Sequence, residues 1–409
     1  MKVLYFHQHF STQDGATGTR SYSMAQRLIE RGHSVVMVCG SAKQGRTGVT
    51  GAFERGLRRG MVDGIDVVEF QLPYSNHDGF VKRTWLFVKF ALRSVVVALH
   101  EPCDVVFATS TPLTAGIPGI VASWLGGRNF VFEVRDLWPE LPRAMGVIRN
   151  PIILWSMSIL EWMSYRSAHA CIGLAPGIVK GILKRGVVSS RVHLIPNAAD
   201  LDLFGRQNQR VYGKTIDPPF IAVFTGTHGQ ANGLVALLDV ADELKRRGLN
   251  AIKLHFIGEG KFKAGLRADA SARGLHNCVF LDSQPKKVLA KSLHEADVGL
   301  MILANVPAFY FGTSPNKFFD YLASGLPVIC NYPGWVSELI AEHKCGIPVP
   351  PENVVAFANA LEELYGDRET RLAMGKQARR LAEEQFDRKK LADQLVDVLE
   401  KVVELRTQQ

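Results

Sequence analysis

Short runs rich in valine, isoleucine and phenylalanine alternate with helical segments along this chain, and the alternation occurs twice. The first series of strand-like runs comprises residues 2–10, 34–40, 104–110, 129–136 and 170–175. The second series comprises residues 220–226, 252–258, 278–282, 298–303 and 326–331. Buried strands that alternate with helices are typical of parallel sheets with helices on both faces. The sequence therefore predicts the α/β class, with two Rossmann-like parallel-sheet domains.

A polar, proline-containing stretch at residues 194–219 separates the two series. The length of 409 residues also favours two domains of ordinary size. We assign residues 1–200 to an N-terminal domain and residues 201–387 to a C-terminal domain. The last segment, residues 388–409, has leucines and valines at helical spacing. We expect it to be one helix that crosses back to the N-terminal domain.

The formal net charge of +9 is concentrated in the first half of the chain. Residues 1–200 contain 22 lysines and arginines against 14 acidic residues. This excess indicates a polyanionic neighbour, which could be a membrane surface, a phosphorylated substrate or nucleic acid. The chain has no basic tract with interleaved aromatic residues, so nucleic acid is the weakest of the three alternatives and we expect none.

The six cysteines are scattered without a Cys-x-x-Cys pair, which predicts buried thiols in a reducing cytoplasm. The chain starts directly with a strand pattern and has no charge-free apolar run of 18 or more residues. We therefore expect neither a signal peptide nor a spanning helix. No carboxylate or cysteine spacing suggests a metal site, and we expect no metal and no cofactor.

The stretch GTSPNKFFDYLASGLPVI predicts a helix followed by a buried strand. Thr313 or Ser314 is expected to cap this helix, with Pro315 at its first position. The start of a helix attracts anions, and Lys317 adds a full positive charge there. Asp320 follows at roughly 7–8 Å along the axis, about the distance from a nucleotide's diphosphate to its ribose hydroxyls. The alternative is an ordinary capped helix with a solvated Lys317–Asp320 pair.

Two loops of the N-terminal half also follow strands, where ligands of open α/β sheets bind. Gly15, Gly18 and Arg20 could form an acceptor or phosphate loop, or simply a tight strand-to-helix turn. Asp136 could orient or deprotonate an acceptor hydroxyl, and Arg135 could contact phosphate. The alternative for this second loop is a structural ion pair between Arg135 and Asp136, with Glu133 as a rival partner.

The chain resembles family 4 of the retaining glycosyltransferases, which have the GT-B fold of two Rossmann-like domains that face a cleft. The resemblance covers nearly the whole chain and is closest to a bacterial surface-polysaccharide branch that includes fucosamine transferases. It rests on seven motifs in order: GATGTRSYSMAQRLIERGHSVVMV, FEVRDLWPE, LIPNAADLDLF, FTGTHGQANGL, FIGEGKFKAGL, EADVGLMIL and TSPNKFFDYLASGLPVI.

The resemblance implies a retaining, metal-independent enzyme that moves a hexosyl or N-acetylhexosaminyl group from a nucleotide donor, expected to be linked to uridine diphosphate (UDP). It implies a lipid-linked glycan as acceptor, in lipopolysaccharide or capsule synthesis. The N-terminal domain would bind the acceptor and the C-terminal domain the donor. The implied catalytic residues are Asp136 and Lys317. The implied donor-binding residues are Gly226, His228, Gly229, Lys261, Thr313, Ser314, Asn316, Lys317 and Asp320.

This sequence departs from the family pattern at two places. Family members carry two glutamates eight residues apart, and Gly312 and Asp320 occupy those positions here. Ribose binding can therefore be carried over to Asp320, but the donor-sugar contact of the first glutamate cannot. Many members also place an arginine and a lysine after a strand, and neither occurs in residues 225–234. Backbone N–H groups of that loop, with Lys317 and Lys261, would have to replace them. His228 in this loop is alternatively a structural histidine.

Residues 79–100 predict an amphipathic helix with Lys82, Lys89 and Arg93 on one stripe beside Trp85. Such a helix could lie on an anionic membrane as a peripheral anchor, or it could pack its apolar face onto the sheet. Residues 150–166 form a weaker second candidate.

Two rival functions stay open at this point. A GT-B nucleotide-sugar 2-epimerase would turn over the donor without an acceptor. A non-catalytic, membrane-associated partner with the same fold would bind no nucleotide.

Overall fold

The structure is a computed structural model that describes residues 1–15, 18–42, 45–75, 78–205 and 219–407. The chain forms two compact units. The first unit comprises residues 1–196, 311–314 and 389–409, and the second comprises residues 197–310 and 315–388.

The first unit is built on one sheet with helices between its strands. Its strands are β1 (Lys2–Phe6), β2 (Ser34–Ala42), β3 (Leu57–Val62), β4 (Ile65–Tyr74), β5 (Val105–Thr109), β6 (Asn129–Val134), β7 (Ala170–Gly173) and β8 (Val192–Leu194). Its helices before residue 185 are α1 (Arg20–Glu30), α2 (Phe80–His100), α3 (Ile117–Gly126), α4 (Glu140–Ala144), α5 (Pro151–Ser167) and α6 (Pro176–Lys184). Short 3-10 turns lie at Leu113–Gly116 and Ser189–Arg191.

The strand order in this sheet is β3-β4-β2-β1-β5-β6-β7-β8, and every pairing is parallel except that of β3 with β4. The central strands β1, β5 and β6 are buried at every position except Lys2, as their apolar sequences predict. The antiparallel β3–β4 pair was not predicted. Its edge strand β3 has the polar sequence LRRGMV, whose arginines hide the strand pattern.

The second unit has a six-stranded, fully parallel sheet with the order β11-β10-β9-β12-β13-β14. Its strands are β9 (Phe220–Thr225), β10 (Ile252–Ile257), β11 (Cys278–Leu281), β12 (Val298–Met301), β13 (Val328–Cys330) and β14 (Gly346–Pro348). The helices between residues 235 and 385 are α7 (Val235–Arg246), α8 (Lys263–Ala272), α9 (Lys286–His294), α10 (Pro307–Gly312), α11 (Asn316–Ala323), α12 (Trp335–Glu342), α13 (Val354–Gly366) and α14 (Arg368–Gln385). A short 3-10 turn lies at Gln230–Asn232.

The last helix, α15 (Arg388–Thr407), returns to the first unit from Lys389 onward. Arg27 on α1 makes a two-pronged ion pair with Asp393, with N–O distances of 2.7 and 2.8 Å. Arg31 reaches Asp397 and Glu400 on the same helix. The predicted α/β class with two Rossmann-like parallel sheets and a returning C-terminal helix is confirmed.

Helix α2 presents only part of the basic stripe that the sequence predicted, since Lys82 and Lys89 are exposed but Arg93 turns back onto its own unit. Its Lys82 pairs with Asp78 at 2.7 Å. The Arg93 guanidinium donates to the Gly56 carbonyl at 2.8 Å and lies 4.5 Å from the Phe70 ring centroid, so it packs against the unit. A lysine or arginine that falls on a stripe in a helical projection can still fold its long side chain back onto its own domain.

The carboxyl ends of parallel strands lie at one edge of a sheet, and that edge positions the loops of interest in each unit. In the first unit, Arg135 and Asp136 follow β6 directly. In the second unit, the loop 226–229 follows β9 and the loop 258–260 follows β10. Helix α11 leads into β13 and therefore begins at this same edge.

Candidate functional site

Helix α11 begins one residue later than the sequence predicted. Pro315 is extended, with φ −75° and ψ 126°, so it occupies the N-cap position and offers no side-chain acceptor. The predicted hydroxyl cap is therefore wrong. The chain leaves the helix at Gly325, which has the left-handed φ of 64° that ends helices.

Lys317 lies in the first turn of α11, half-buried against the loop that follows β9. Its Nζ lies 3.8 Å from the Phe224 ring centroid and donates to the Asn232 Oδ1 at 3.1 Å. No carboxylate pairs with it among the residues that the structure describes. Because burial disfavours the charged ammonium, the pKa of Lys317 is lowered from 10.5 to about 7. A cation held in this way is available to an anionic ligand.

The backbone conformation at position 226 favours glycine, and the space beside it is taken up by Lys317. A Cβ atom on Gly226 would lie 3.2 Å from the Lys317 Nζ and 3.3 Å from its Cε, and the φ of this glycine is 134°. The glycine predicted for phosphate contact thus also makes room for the lysine.

Asp320 lies one turn further along α11 and is 2% exposed. Its Oδ2 forms an ion pair with the Lys286 Nζ at 2.5 Å, and its Oδ1 has no hydrogen-bond partner in the described part of the chain. The Lys286 Nζ also lies 5.2 Å from the Phe204 ring centroid. The alternative of a solvated Lys317–Asp320 pair is therefore wrong, because Lys286 is the partner of Asp320.

Tyr321 holds α11 against the end of β9. Its hydroxyl oxygen accepts a hydrogen bond from the Thr225 N–H at 2.9 Å, and its side chain has no exposed surface. A Cβ on Gly299 in β12 would lie 2.5 Å from the Tyr321 ring. These contacts fix the helix, and with it Lys317 and Asp320, relative to the sheet.

The loop 226–229 continues the pairing of β9 with β10 beyond the strands. The Gly226 N–H donates to the Ile257 carbonyl and the His228 N–H to the Glu259 carbonyl, both at 2.9 Å. A Cβ on Gly258 would lie 1.9 Å from the Gly226 carbonyl oxygen. These two N–H groups are engaged within the protein, whereas that of Gly229 has no acceptor among the described residues.

His228 is fully buried, and neither ring nitrogen has a hydrogen-bond partner among the described residues. Its ring packs among those of Phe224, Phe256 and Phe280. Burial lowers the pKa of His228 to about 4, so the ring is neutral at neutral pH. Unpaired buried nitrogens are costly, which makes His228 a group that a ligand could satisfy.

The other donor-binding residues predicted from the sequence are Lys261, Asn316, Thr313 and Ser314, and they differ in exposure and in the unit to which they belong. Lys261 is exposed, whereas Lys263 is buried and pairs with Glu259 and Asp282 at 2.7 Å each. Asn316 begins α11 and is half-buried. Thr313 and Ser314 belong to the first unit.

Gly312 occupies the position of the first family glutamate, and the space around it is open. A Cβ at this position would meet no atom within 4 Å, and its φ is not left-handed. A larger side chain would therefore fit sterically, and crowding does not explain the glycine.

In the first unit, Arg20 is 1% exposed and forms an ion pair with Glu133 at 2.9 Å. Its other nitrogens donate to the carbonyls of Ile195 and Pro196. The structure thus gives Arg20 a structural role. Gly15 lies in a tight turn, where a Cβ would be 2.1 Å from the Ser11 Oγ. Gly18 lies two residues before α1, and residues 16–17 of this loop are outside the described residues.

Arg135 pairs with Glu133 at 3.1 Å, so the rival partner is the one observed. Burial favours the neutral form of Glu133, but Arg20 and Arg135 outweigh it and lower the pKa of this carboxyl. Asp136 instead accepts a hydrogen bond from the Thr111 Oγ1 at 3.2 Å. Burial raises the pKa of Asp136, which makes it a better proton acceptor than an ordinary aspartate.

Sequence reasoning missed Lys286. It lies 34 residues before Asp320 and starts α9 after the loop that follows β11. The only signal was its position after a strand of the second series.

Among the described residues, no group of three or more histidine, cysteine or acidic side chains could hold a metal ion. The Asp-x-Asp pattern at residues 200–202 lies in a turn, where the Asp200 carboxylate accepts from the Leu203 N–H.

Two family models match this chain. The model of glycosyl transferases group 1 matches residues 206–381, and that of the glycosyl transferase 4-like domain matches residues 15–198. A similar curated protein is the O-antigen chain mannosyltransferase C of Escherichia coli, 26% identical over 247 residues. That match covers 59% of this chain and 63% of the relative, which is less than two thirds of its length.

Solved structures match over nearly the whole chain. Sucrose-phosphate synthase of Thermosynechococcus elongatus has a TM-score of 0.75 at 16% identity and covers 98% of each chain. HepE of Anabaena, solved in complex with UDP, has a TM-score of 0.68 at 15% identity and covers 98% of this chain and 100% of that one. At these identities the structural likeness shows the shared two-domain fold.

Proposed function

Because this chain belongs to the glycosyl transferases of group 1, we propose that it moves a sugar from a nucleotide donor, UDP-linked, to an acceptor hydroxyl. The observation that carries the proposal is the cluster in the second unit. It places a half-buried lysine and a buried aspartate on one helix that starts at the carboxyl edge of the sheet. Within the described part of the chain, the lysine has no carboxylate partner and one aspartate oxygen accepts no hydrogen bond.

The diphosphate of the donor would lie at the start of α11, against Lys317 and the N–H groups of Asn316 and Gly229. A helix start and an ammonium both favour anions. The leaving diphosphate gains negative charge as the bond to the sugar breaks, so a protonated Lys317 would stabilise the transition state more than the ground state. Phosphate in place would also raise the pKa of Lys317 and keep it charged.

The ribose hydroxyls would donate to Asp320, whose Oδ1 has no partner among the residues that the structure describes. The ion pair with Lys286 holds this carboxylate in position. The neutral ring of His228, whose nitrogens bind no other described residue, would offer the donor a further hydrogen-bond partner.

In the first unit, Asp136 would orient the acceptor hydroxyl and accept its proton. We expect retention of configuration and no metal requirement, as the family resemblance implies. The acceptor would be a lipid-linked glycan of bacterial surface polysaccharide, made at the inner face of the cytoplasmic membrane. The excess of cations in residues 1–200 and the similarity to an O-antigen mannosyltransferase support this assignment.

Among the helices described, none combines the length and the apolar composition that a bilayer crossing would require.

The test is a transfer assay with a panel of radiolabelled UDP-sugars and the lipid extract of a polysaccharide-producing bacterium. If the protein is a transferase, radiolabel from one UDP-sugar should appear in the organic phase. Without the lipid extract, little of the donor should be consumed. Donor conversion without extract would instead indicate an epimerase. No conversion and no UDP binding would indicate a non-catalytic protein.

A further inference from the structure

The first unit has an apolar outer surface on three neighbouring helices. Helix α3 packs between α2 and α5. Four of the six tryptophans of the chain are exposed there, with exposed fractions between 49% and 67%. They are Trp85 on α2, Trp124 on α3, and Trp155 and Trp162 on α5.

Helix α5 buries polar residues and exposes apolar ones, the reverse of an ordinary surface helix. Its polar residues Glu161, Ser164 and Ser167 are buried, whereas an apolar stripe is exposed to solvent. The stripe consists of Ile152, Trp155, Ile159 and Trp162, at the three- and four-residue spacing of one helix face. A helix that only had to pack on its own sheet would place these two sets the other way round.

Helix α2 carries a second exposed apolar stripe. Its inner face, with Leu86, Phe90, Ala91 and Ala98, is buried. Its outer stripe consists of Val81, Trp85, Leu92 and Val96, which are 59–80% exposed. We call this stripe, the α5 stripe and the exposed Trp124–Leu125 pair the outer apolar face.

We propose that the outer apolar face inserts into the interface of an anionic lipid bilayer. Tryptophan favours the boundary between headgroups and acyl chains, where its ring is buried and its N–H stays wet. Apolar patches this extended are uncommon on surfaces that face only water. The reason for membrane binding rests on the proposed function, since a lipid-linked acceptor lies in such a bilayer.

The charges on these helices match an anionic surface. Helices α2 and α3 contain no acidic residue, and the single acid of α5, Glu161, is buried. Exposed cations flank the stripes, among them Lys82, Lys89 and Arg166. A two-fold interface with a second copy would place these cations near one another, which disfavours self-association through this face.

The experiment compares the wild-type protein with a triple variant, Trp85→Gln, Trp155→Gln and Trp162→Gln. Each protein is sedimented with phosphatidylglycerol vesicles and with phosphatidylcholine vesicles. The wild type should sediment with the anionic vesicles, and brominated acyl chains should quench its tryptophan fluorescence. The triple variant should partition at least about tenfold less. A matched control, Val235→Gln with Val355→Gln, changes two residues of the second unit that are each 54% exposed and should bind like wild type.

A wild-type protein that stays in the supernatant with anionic vesicles would overturn the proposal. Undiminished vesicle binding by the triple variant would also overturn it. So would a wild-type protein that is a dimer by analytical ultracentrifugation when the triple variant is a monomer. A titration with UDP separates this proposal from the proposed function and shows that the variant is folded. Unchanged UDP binding with lost vesicle binding supports both proposals. Vesicle binding by a wild type that binds no UDP would leave the surface standing and refute the donor site.

Discussion

The affinity for UDP should depend on pH through Lys317. Burial lowers the pKa of this lysine to about 7, so the free protein loses the charge as the pH rises above neutrality. Binding of a diphosphate needs the charged form, and therefore takes up a proton. Above the pKa, each pH unit should weaken binding about tenfold, which is about 1.4 kcal/mol. A lysine with an ordinary pKa of 10.5 would give no such loss below pH 9.

Calorimetric titration with UDP at pH 7.5 and pH 8.5 measures this slope. The terminal phosphate of UDP should itself lose its proton near pH ~6, so it stays ionised across this range. His228, with a pKa of about 4, stays neutral. Titrations in two buffers of different ionisation enthalpy count the proton that is taken up.

Two variants serve as controls for the pH slope. Lys317→Arg keeps a permanent charge and should show little pH dependence. Lys317→Met should bind more weakly at pH 7.5 and also show no slope. A flat wild-type affinity, or a slope that survives in Lys317→Met, would refute the reasoning.

Three further outcomes follow from the same geometry. Asp320→Ala should weaken UDP binding by about 1–3 kcal/mol, because a charged acceptor for ribose hydroxyls is lost; unchanged affinity by calorimetry would remove Asp320 from the site. Gly258→Ala should destabilise the protein by about 2–3 kcal/mol in denaturant titration, because its Cβ would collide with the Gly226 carbonyl, whereas Gly265→Ala, which meets no atom within 4 Å, should not. Transfer activity should persist in a chelator; loss that magnesium or manganese restores would contradict the expectation that no metal is needed.

Sequence patterning predicted most of the strands that lie in the middle of each sheet, but it missed β4, which lies between β3 and β2. Runs such as FIAVFT at β9 are buried on both faces, so nearly every position is apolar and the pattern is unmistakable. The edge strand β3 was missed because arginines at two of its six positions obscure the apolar pattern. The terminal strands β8 and β14 are three residues each, too short for a periodicity to emerge.

The candidate site was predictable where it is local in sequence. Lys317 and Asp320 lie on one helix, and helical geometry alone sets their separation. The Lys286 partner could not be foreseen, because it comes from another helix and the fold brings the two together. The inward turn of Arg93 likewise depends on the Gly56 carbonyl and Phe70 of other elements.

A crystal structure with UDP tests the donor site most directly. The account predicts a diphosphate oxygen within hydrogen-bond distance of the Lys317 Nζ, and a ribose hydroxyl that donates to the Asp320 carboxylate. UDP bound elsewhere, with Lys317 still on the Asn232 side chain and Asp320 contacting only Lys286, would contradict it.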